Sequence, residues 1–314
     1  MKILVTGGTG MVGSAFKNIN TKHEIILVGS KDCDLVVRKS TFKMVHEIRP
    51  DSIIHLAARV GGVKGNTDYV ADFYSENIRI NTNILDAAYT YDIKKAVSLL
   101  STCVYPDKAE YPLTEDQIQN GPPHKSNFGY AYAKRMLDVH SQALRQQHGC
   151  NFVTAVPNNL YGLNDNFDLE NGHVIPALIR KIYEAKVQEN HAVHTGVNIW
   201  GDGSPLREFT FASDMANILI HVLETYEGSA PINVGNTTEY SISDVVTLIS
   251  KELDYNGIIF WDTTKPMGQL RKPSNNQRFL QLGWKSENYT SLEEGIKITC
   301  KWFKENYPNV RGTK

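Results

Sequence analysis

Tyr130 and Lys134 stand four positions apart in the run Tyr130-Ala131-Tyr132-Ala133-Lys134, so on a helix their side chains share one face. An ammonium beside a phenol favours the phenolate, and the pairing is expected to draw the Tyr130 pKa down and make it a usable acid or base. About thirty residues upstream, Ser101 ends the apolar run KAVSLLS. In a parallel sheet the carboxyl ends of strands line the ligand crevice, so this hydroxyl can share a substrate oxygen with Tyr130. A second kind of chemistry is written at the start of the chain, where Thr6-Gly7-Gly8-Thr9-Gly10-Met11-Val12-Gly13 follows the apolar Ile3-Leu4-Val5. Glycines there permit a tight turn and let backbone N–H groups reach a pyrophosphate at a helix start. Gly7, Gly10, Met11, Val12 and Gly13 are therefore expected to hold a dinucleotide.

The type of dinucleotide is decided after the second apolar strand, which ends Leu27-Val28-Gly29 and continues Ser30-Lys31. No carboxylate sits at the strand tip to hold a ribose 2′-hydroxyl, and Lys31 can pair with a 2′-phosphate, so NADP(H) is expected. Ser30, Lys31, Asp34 and Leu35 are assigned to its adenosine half. Judged by residue type alone, Cys103 reads as a small buried hydrophobe and His173 as a helix-start residue. His191 and His194 stand three apart without a third ligand nearby and read as surface residues, so no metal is expected.

These groups need a frame, and the hydrophobic pattern supplies it. Short apolar runs (KILVTG, EIILVG, SIIHLAA, KAVSLLS, NFVTAVP) alternate with amphipathic stretches, which predicts βαβ units and a parallel sheet buried on both faces. The fold expected is α/β, a doubly wound parallel (Rossmann) sheet with a smaller α/β substrate-binding domain. Past residue 163 the texture changes to loops rich in Asn, Asp and Gly, with helices predicted over HVIPALIRKIYEA, SDMANILIHVLE and SISDVVTLISKEL. The dinucleotide domain is placed at 1–162 and about 209–235, and the second domain at about 163–208 and 236–314. A length of 314 residues at 41% hydrophobic composition suffices for a sizeable core. Net charge of -1 gives no global reason for nucleic acid or an anionic membrane as partner. Four scattered cysteines without a CxxC pair argue against zinc and against a disulfide scaffold. Nowhere do about 18 apolar residues follow one another, and Met1-Lys2 leads straight into a strand, so a cytoplasmic protein is expected.

The glycine turn, Ser101 and the Tyr130/Lys134 pair resemble the extended short-chain dehydrogenases/reductases. VGGVKGN (60–66), LSTCVYPDK (100–108), GPPHKSNFGYAYAKRM (121–136), NLYGLNDNF (159–167), NGHVIPALIRK (171–181) and WGDGSPLREF (200–209) narrow the likeness to the GDP-L-fucose synthase branch, over residues 1 to about 304. The resemblance implies an NADPH-dependent 3,5-epimerase and 4-reductase acting on GDP-4-keto-6-deoxy-D-mannose. It also implies Cys103 as base and His173 as acid in epimerisation. Tyr130 then protonates the C4 oxygen, Lys134 tunes Tyr130 and holds the nicotinamide ribose, and Ser101 polarises the carbonyl. By the same matching Lys181, Trp200, Arg207 and Lys272 contact the GDP moiety, and members of the fold commonly pair as homodimers through helices beside the sheet. Asn158 stands where the family commonly has Thr, and Asp202 where a small hydroxyl residue is usual. Alternatives are a 4-ketoreductase without epimerisation, a 4-epimerase with tightly held NAD, and an NADP-binding redox sensor.

Overall fold

A computed structural model describes residues 1–189, 196–265 and 269–313; His191 and His194 lie outside the described residues. The first part runs β1 (Lys2–Thr6), α1 (Met11–Ala15), β2 (Glu24–Val28), α2 (Arg38–Ile48), β3 (Ser52–His55), α3 (Val63–Asp68), α4 (Val70–Thr90), β4 (Lys95–Leu99), α5 (Phe128–His148) and β5 (Asn151–Pro157). It continues through β6 (Asn159–Tyr161), α6 (Val174–Glu189), β7 (Val197–Trp200), β8 (Leu206–Phe211), α7 (Ala212–Thr225), β9 (Ile232–Val234), β10 (Glu239–Ser241), α8 (Ile242–Glu252), β11 (Ile259–Asp262), α9 (Gln277–Leu280) and α10 (Leu292–Asn306).

Six strands form one parallel sheet in the order β2-β1-β3-β4-β5-β9. Period-two alternation decides which side chain meets which layer. Leu4, Ile53, Ala96 and Val156 pack against Val45 of α2, Ile84 and Leu85 of α4 and Leu137 of α5. Their neighbours Ile3, Val5, Ile54, Val97 and Val153 face the opposite layer, where Val12 of α1 and Met215, Ile218 and Leu219 of α7 close the core. The five apolar runs picked out in the sequence are β1 to β5, and both faces of the sheet are covered as their near-continuous hydrophobicity requires.

A third core lies outside this sheet. Tyr161, Phe209 and Phe211 pack with Ile179 and Ile182 of α6, Val245 and Ile249 of α8, and Ile296 and Phe303 of α10. Around it sit a three-stranded sheet β10-β8-β6 and a parallel pair β11-β7. The winding of the main sheet reverses between β1 and β3, because β2 and β3 lie on opposite sides of β1. A crevice at the carboxyl ends of the strands is the general consequence of such a reversal.

Candidate active site

The glycine turn follows the carboxyl end of β1, beside the point where the winding reverses. Gly7 adopts φ +72°, a left-handed conformation that glycine takes without strain, and Gly10 N donates to the Gly7 carbonyl at 2.9 Å. A Cβ on Gly13 would overlap the Gly7 carbonyl, so the turn and the first turn of α1 touch backbone to backbone. The first amides of a helix have no intrahelical acceptor, which leaves those of Met11 and Val12 to meet an anion laid on this bare cradle. At the tip of β2, Ser30 and Lys31 are exposed. The nearby acids turn back onto their own loop: Asp32 accepts from Gly29 N at 2.8 Å and Asp34 from Val36 N at 2.9 Å. Leu35 is buried, and its carbonyl accepts from the Asn83 amide at 2.8 Å, so it shapes this loop from beneath.

Four of the sequence-assigned catalytic residues converge at the ends of β4 and α5. Ser101 caps a short 3-10 turn over Thr102–Val104, with Cys103 N donating to its Oγ at 3.4 Å. Gly129 lets α5 begin hard against the Val70 carbonyl, where a Cβ would lie at 2.5 Å, and so seats Tyr130 and Lys134 over this turn. Lys134 is buried and donates to the Leu99 carbonyl at 2.6 Å. Its ammonium lies 5.9 Å from the centre of the Tyr130 ring.

That geometry corrects one expectation. Burial pushes the Tyr130 phenol above its ordinary value, with the nearby Cys103 adding to the rise, instead of Lys134 drawing it down. The Lys134 ammonium itself lies over the tyrosine ring and is hydrogen-bonded to the Leu99 carbonyl. Burial also draws Lys134 itself down to about 8. Tyr130 is thus protonated across neutral pH.

Burial pushes the Cys103 thiol above its usual range, opposed by the Ser101 hydroxyl and by the ammonium groups of Lys272 and Lys134. His173 stands apart at the start of α6, exposed to solvent, and protein bulk and the Arg311 guanidinium both lower its pKa. No hydrogen bond or ion pair among the described residues joins it to the Cys103 cluster. His173 is placed by long-range ties. Gly62 N of the VGGVKGN stretch donates to the Asn171 carbonyl at 3.1 Å, and Phe167 N donates to the Arg311 carbonyl at 2.9 Å.

The residues assigned to a nucleotide fall into two groups. Lys181 of α6 donates to the Asn198 carbonyl of β7 at 3.4 Å, the strand that ends in Trp200, which is 61% exposed. Arg207 of β8 and Lys272 lie together, each half-buried, and Lys272 reaches into the Cys103 cluster instead of joining Lys181. Sequence reasoning missed Arg311, Asp165 and Glu208. Asp165 is buried in the loop before His173, and its carboxyl is pushed up to about 7 by burial. These residues make contacts far along the chain, so no local spacing marks them. Asn158, one of the two departures, is tied into β8 by the Thr210 hydroxyl, which donates to it at 2.7 Å. Asp202 folds back on Ser204, accepting from its N at 2.9 Å. Among the described residues no group of His, Cys, Asp and Glu is placed to hold a metal ion.

Comparison with known proteins gives a consistent picture. The family described as "NAD dependent epimerase/dehydratase family" matches residues 3–235. GDP-L-fucose synthase of Dictyostelium discoideum is 41% identical over 98% of this chain and 97% of its own. GDP-L-colitose synthase of Yersinia pseudotuberculosis is 38% identical over 96% and 98%. The crystal structure of a GDP-L-fucose synthetase from Naegleria fowleri bound to NADP superposes with a TM-score of 0.91 at 40% identity, covering 99% of this chain and 94% of that one.

Proposed function

The chain belongs to the NAD dependent epimerase/dehydratase family, and on that premise we propose that it converts GDP-4-keto-6-deoxy-D-mannose to GDP-L-fucose with NADPH, by 3,5-epimerisation and 4-reduction. The observation that carries this reading is Cys103, which shares one cluster with Ser101, Tyr130 and Lys134. A plain 4-ketoreductase has no use for a titratable thiol beside its proton donor. An NADP-binding sensor has no use for the Tyr130/Lys134 pair.

The glycine cradle fits a dinucleotide pyrophosphate. The β2 tip, with its acids turned onto their own amides and Lys31 exposed, suits a 2′-phosphate better than a free 2′-hydroxyl. When bound, NADPH supplies the hydride that reduces the C4 ketone. The protein's residues do the rest. Cys103 removes the protons on C3 and C5, both acidified by the adjoining carbonyl, and the electron pair moves onto the C4 oxygen as an enolate. His173 returns a proton from the opposite face. Ser101 hydrogen-bonds the C4 oxygen and Tyr130 protonates it, while Lys134 holds the nicotinamide ribose. Lys181, Trp200, Arg207 and Lys272, on the part at about 163–208 and 236–314, grip the GDP half.

The direct test incubates the protein with GDP-4-keto-6-deoxy-D-mannose and NADPH, follows cofactor absorbance and identifies the sugar by NMR. GDP-L-fucose is expected. Consumption with an unepimerised sugar would leave a reductase only. An inert mixture would move the substrate to another GDP-deoxysugar, as the Yersinia relative's name indicates.

The partner surface we infer is a second copy of this chain. Tyr74 and Tyr89 of α4 and Met136 and Val139 of α5 are exposed apolar residues on two helices that pack side by side on the sheet. Met136→Glu with Val139→Glu is expected to yield a monomer by light scattering while the wild type is a dimer; a mutant that stays dimeric places the interface elsewhere. All four cysteines are free, which suits a reducing, cytoplasmic setting, and no helix among the described residues is long and apolar enough to cross a membrane.

A further inference from the structure

His173 stands at the start of α6, where Ala177 N donates to its carbonyl at 3.1 Å, so its ring goes where the first turn of α6 and the loop before it go. That loop keeps its own shape. The Asp168 carboxylate accepts from Glu170 N at 3.0 Å and from Asn171 N at 2.6 Å, and Gly172 N donates to the Asp168 carbonyl at 2.9 Å. Its ends are fixed to other parts of the molecule: the Phe167 ring lies 4.5 Å from that of Phe303 in the third core, and Asn171 is tied by Gly62 to the 60–66 stretch. None of these bonds sets the loop against α6 itself.

Arg180 does so. It follows His173 by seven residues, about two helical turns, and so lies on the same face of α6. Its Nη1 donates to the Phe167 carbonyl at 3.2 Å and to the Gly312 carbonyl at 2.6 Å, joining helix, loop and the 309–313 segment through one guanidinium. Glu184 holds that guanidinium in place, accepting from Nε at 2.7 Å and from the Tyr307 hydroxyl at 3.1 Å. The 309–313 segment lies across the loop. Val310 is buried in the third core, Phe167 N donates to the Arg311 carbonyl, and a Cβ on Gly312, at φ +89°, would overlap Asn166 Oδ1 and Asp168 N. Arg311, carried on this segment, is the charged group among the described residues that bears on the His173 imidazole, and Asp165, buried in the loop, faces the same guanidinium.

We propose that Arg180 and the 309–313 segment form a latch that positions His173 for proton return to the sugar, with Arg180 a positioning residue and not a catalytic one. The proposal rests on His173 being the proton donor. In the step it serves, an N–H bond of the imidazolium breaks as the new C–H bond forms on the face opposite Cys103. The C=C pair of the enolate makes that bond, and the charge on the C4 oxygen remakes the carbonyl. A donor misplaced by about 1 Å can cost such a transfer about 10²-fold. The enolate then recovers its proton from the Cys103 thiol, on the face it left, and the carbon exchanges hydrogen without inverting.

The test compares Arg180→Gln, which removes the tie from the helix side, with Gly312→Ala, which wedges the segment off the loop, in the full chain loaded with NADP and shown by circular dichroism to be folded. In heavy water, NMR follows both deuterium entry at C3 and C5 and the configuration of the sugar, isotope-labelled imidazole reports the His173 titration, and calorimetry gives GDP affinity. Both variants are expected to lower inversion per deuterium exchanged by about tenfold or more. The His173 titration should move up in both, because the surrounding protein and the Arg311 guanidinium, which lower it, retreat together. GDP affinity should stay within about twofold of wild type, although Lys181 adjoins Arg180. Inversion retained in either folded variant, or lost only in step with GDP affinity, would overturn the latch. His173→Asn run alongside separates the two failures: inversion that survives in it defeats the donor assignment itself, whereas its loss there, with both latch variants unaffected, defeats only the latch.

Discussion

Cys103→Ala is expected to lower formation of GDP-L-fucose by about 10²- to 10⁴-fold, the usual worth of one positioned base, with NADPH affinity unchanged. The thiol lies at the end of β4, away from the glycine cradle, and its removal takes away a half-buried sulfur without unpairing a buried polar group. Deuterium wash-in at C3 and C5 should fall with turnover, since both protons leave through the same sulfur. Retained wash-in would place the base elsewhere.

The pH dependence of epimerisation gives a second measure of the same pair. With the proposed roles of base and acid, the reactive form has Cys103 as thiolate and His173 as imidazolium. Burial raises the thiol, while the surrounding protein bulk and Arg311 lower the solvent-exposed imidazole, so the reactive form combines the less populated state of each group. Between the two pKa values the thiolate fraction rises tenfold per pH unit and the imidazolium fraction falls tenfold, so their product is level. The rate of epimerisation is therefore expected to be flat across neutrality. It should fall below the lowered imidazole pKa, where thiolate is still being lost, and above the raised thiol pKa, where imidazolium is. A rate that climbs steadily with pH through neutrality would mean that His173 is not the proton donor.

The sheet was legible because its signal is local. Five apolar runs separated by amphipathic stretches can bury both faces only as parallel strands with helices on either side, and Ile3/Val5 against Leu4 shows the alternation in β1. The cradle was legible for the same reason: Gly7 to Gly13 is a single turn of chain. Tyr130 and Lys134 share a helix face by spacing alone, yet the direction in which the ammonium points depends on the Leu99 carbonyl, thirty-five residues upstream, and no spacing rule predicts it. Lys272 shows the limit most clearly. Its place beside Cys103 is set by Glu208 holding Ser274 and by Leu113 pairing with Pro273 and Asn275, contacts between segments far apart in the chain. The loop before His173 depends likewise on Arg311, near the end of the described chain.

Tyr130→Phe is expected to separate the two halves of the chemistry. Consumption of NADPH should drop by about 10²- to 10⁴-fold, because the phenol that protonates the C4 oxygen is gone. Wash-in at C3 and C5 should continue within about tenfold of wild type, since Ser101 still hydrogen-bonds the carbonyl and Cys103 and His173 are untouched. The phenol is held above its ordinary value, so it stays protonated through neutral pH and contributes no limb to the reduction profile there. Lys134 does contribute one. Its ammonium is present below about 8 and is lost above, so the reduction step should be level on the acid side and weaken as pH rises past that value. Because this limb belongs to Lys134, the residual reduction in Tyr130→Phe should keep it. A variant in which the limb vanished along with the phenol would assign that titration to Tyr130, and would mean that Lys134 draws the phenol down once the ligands are in place.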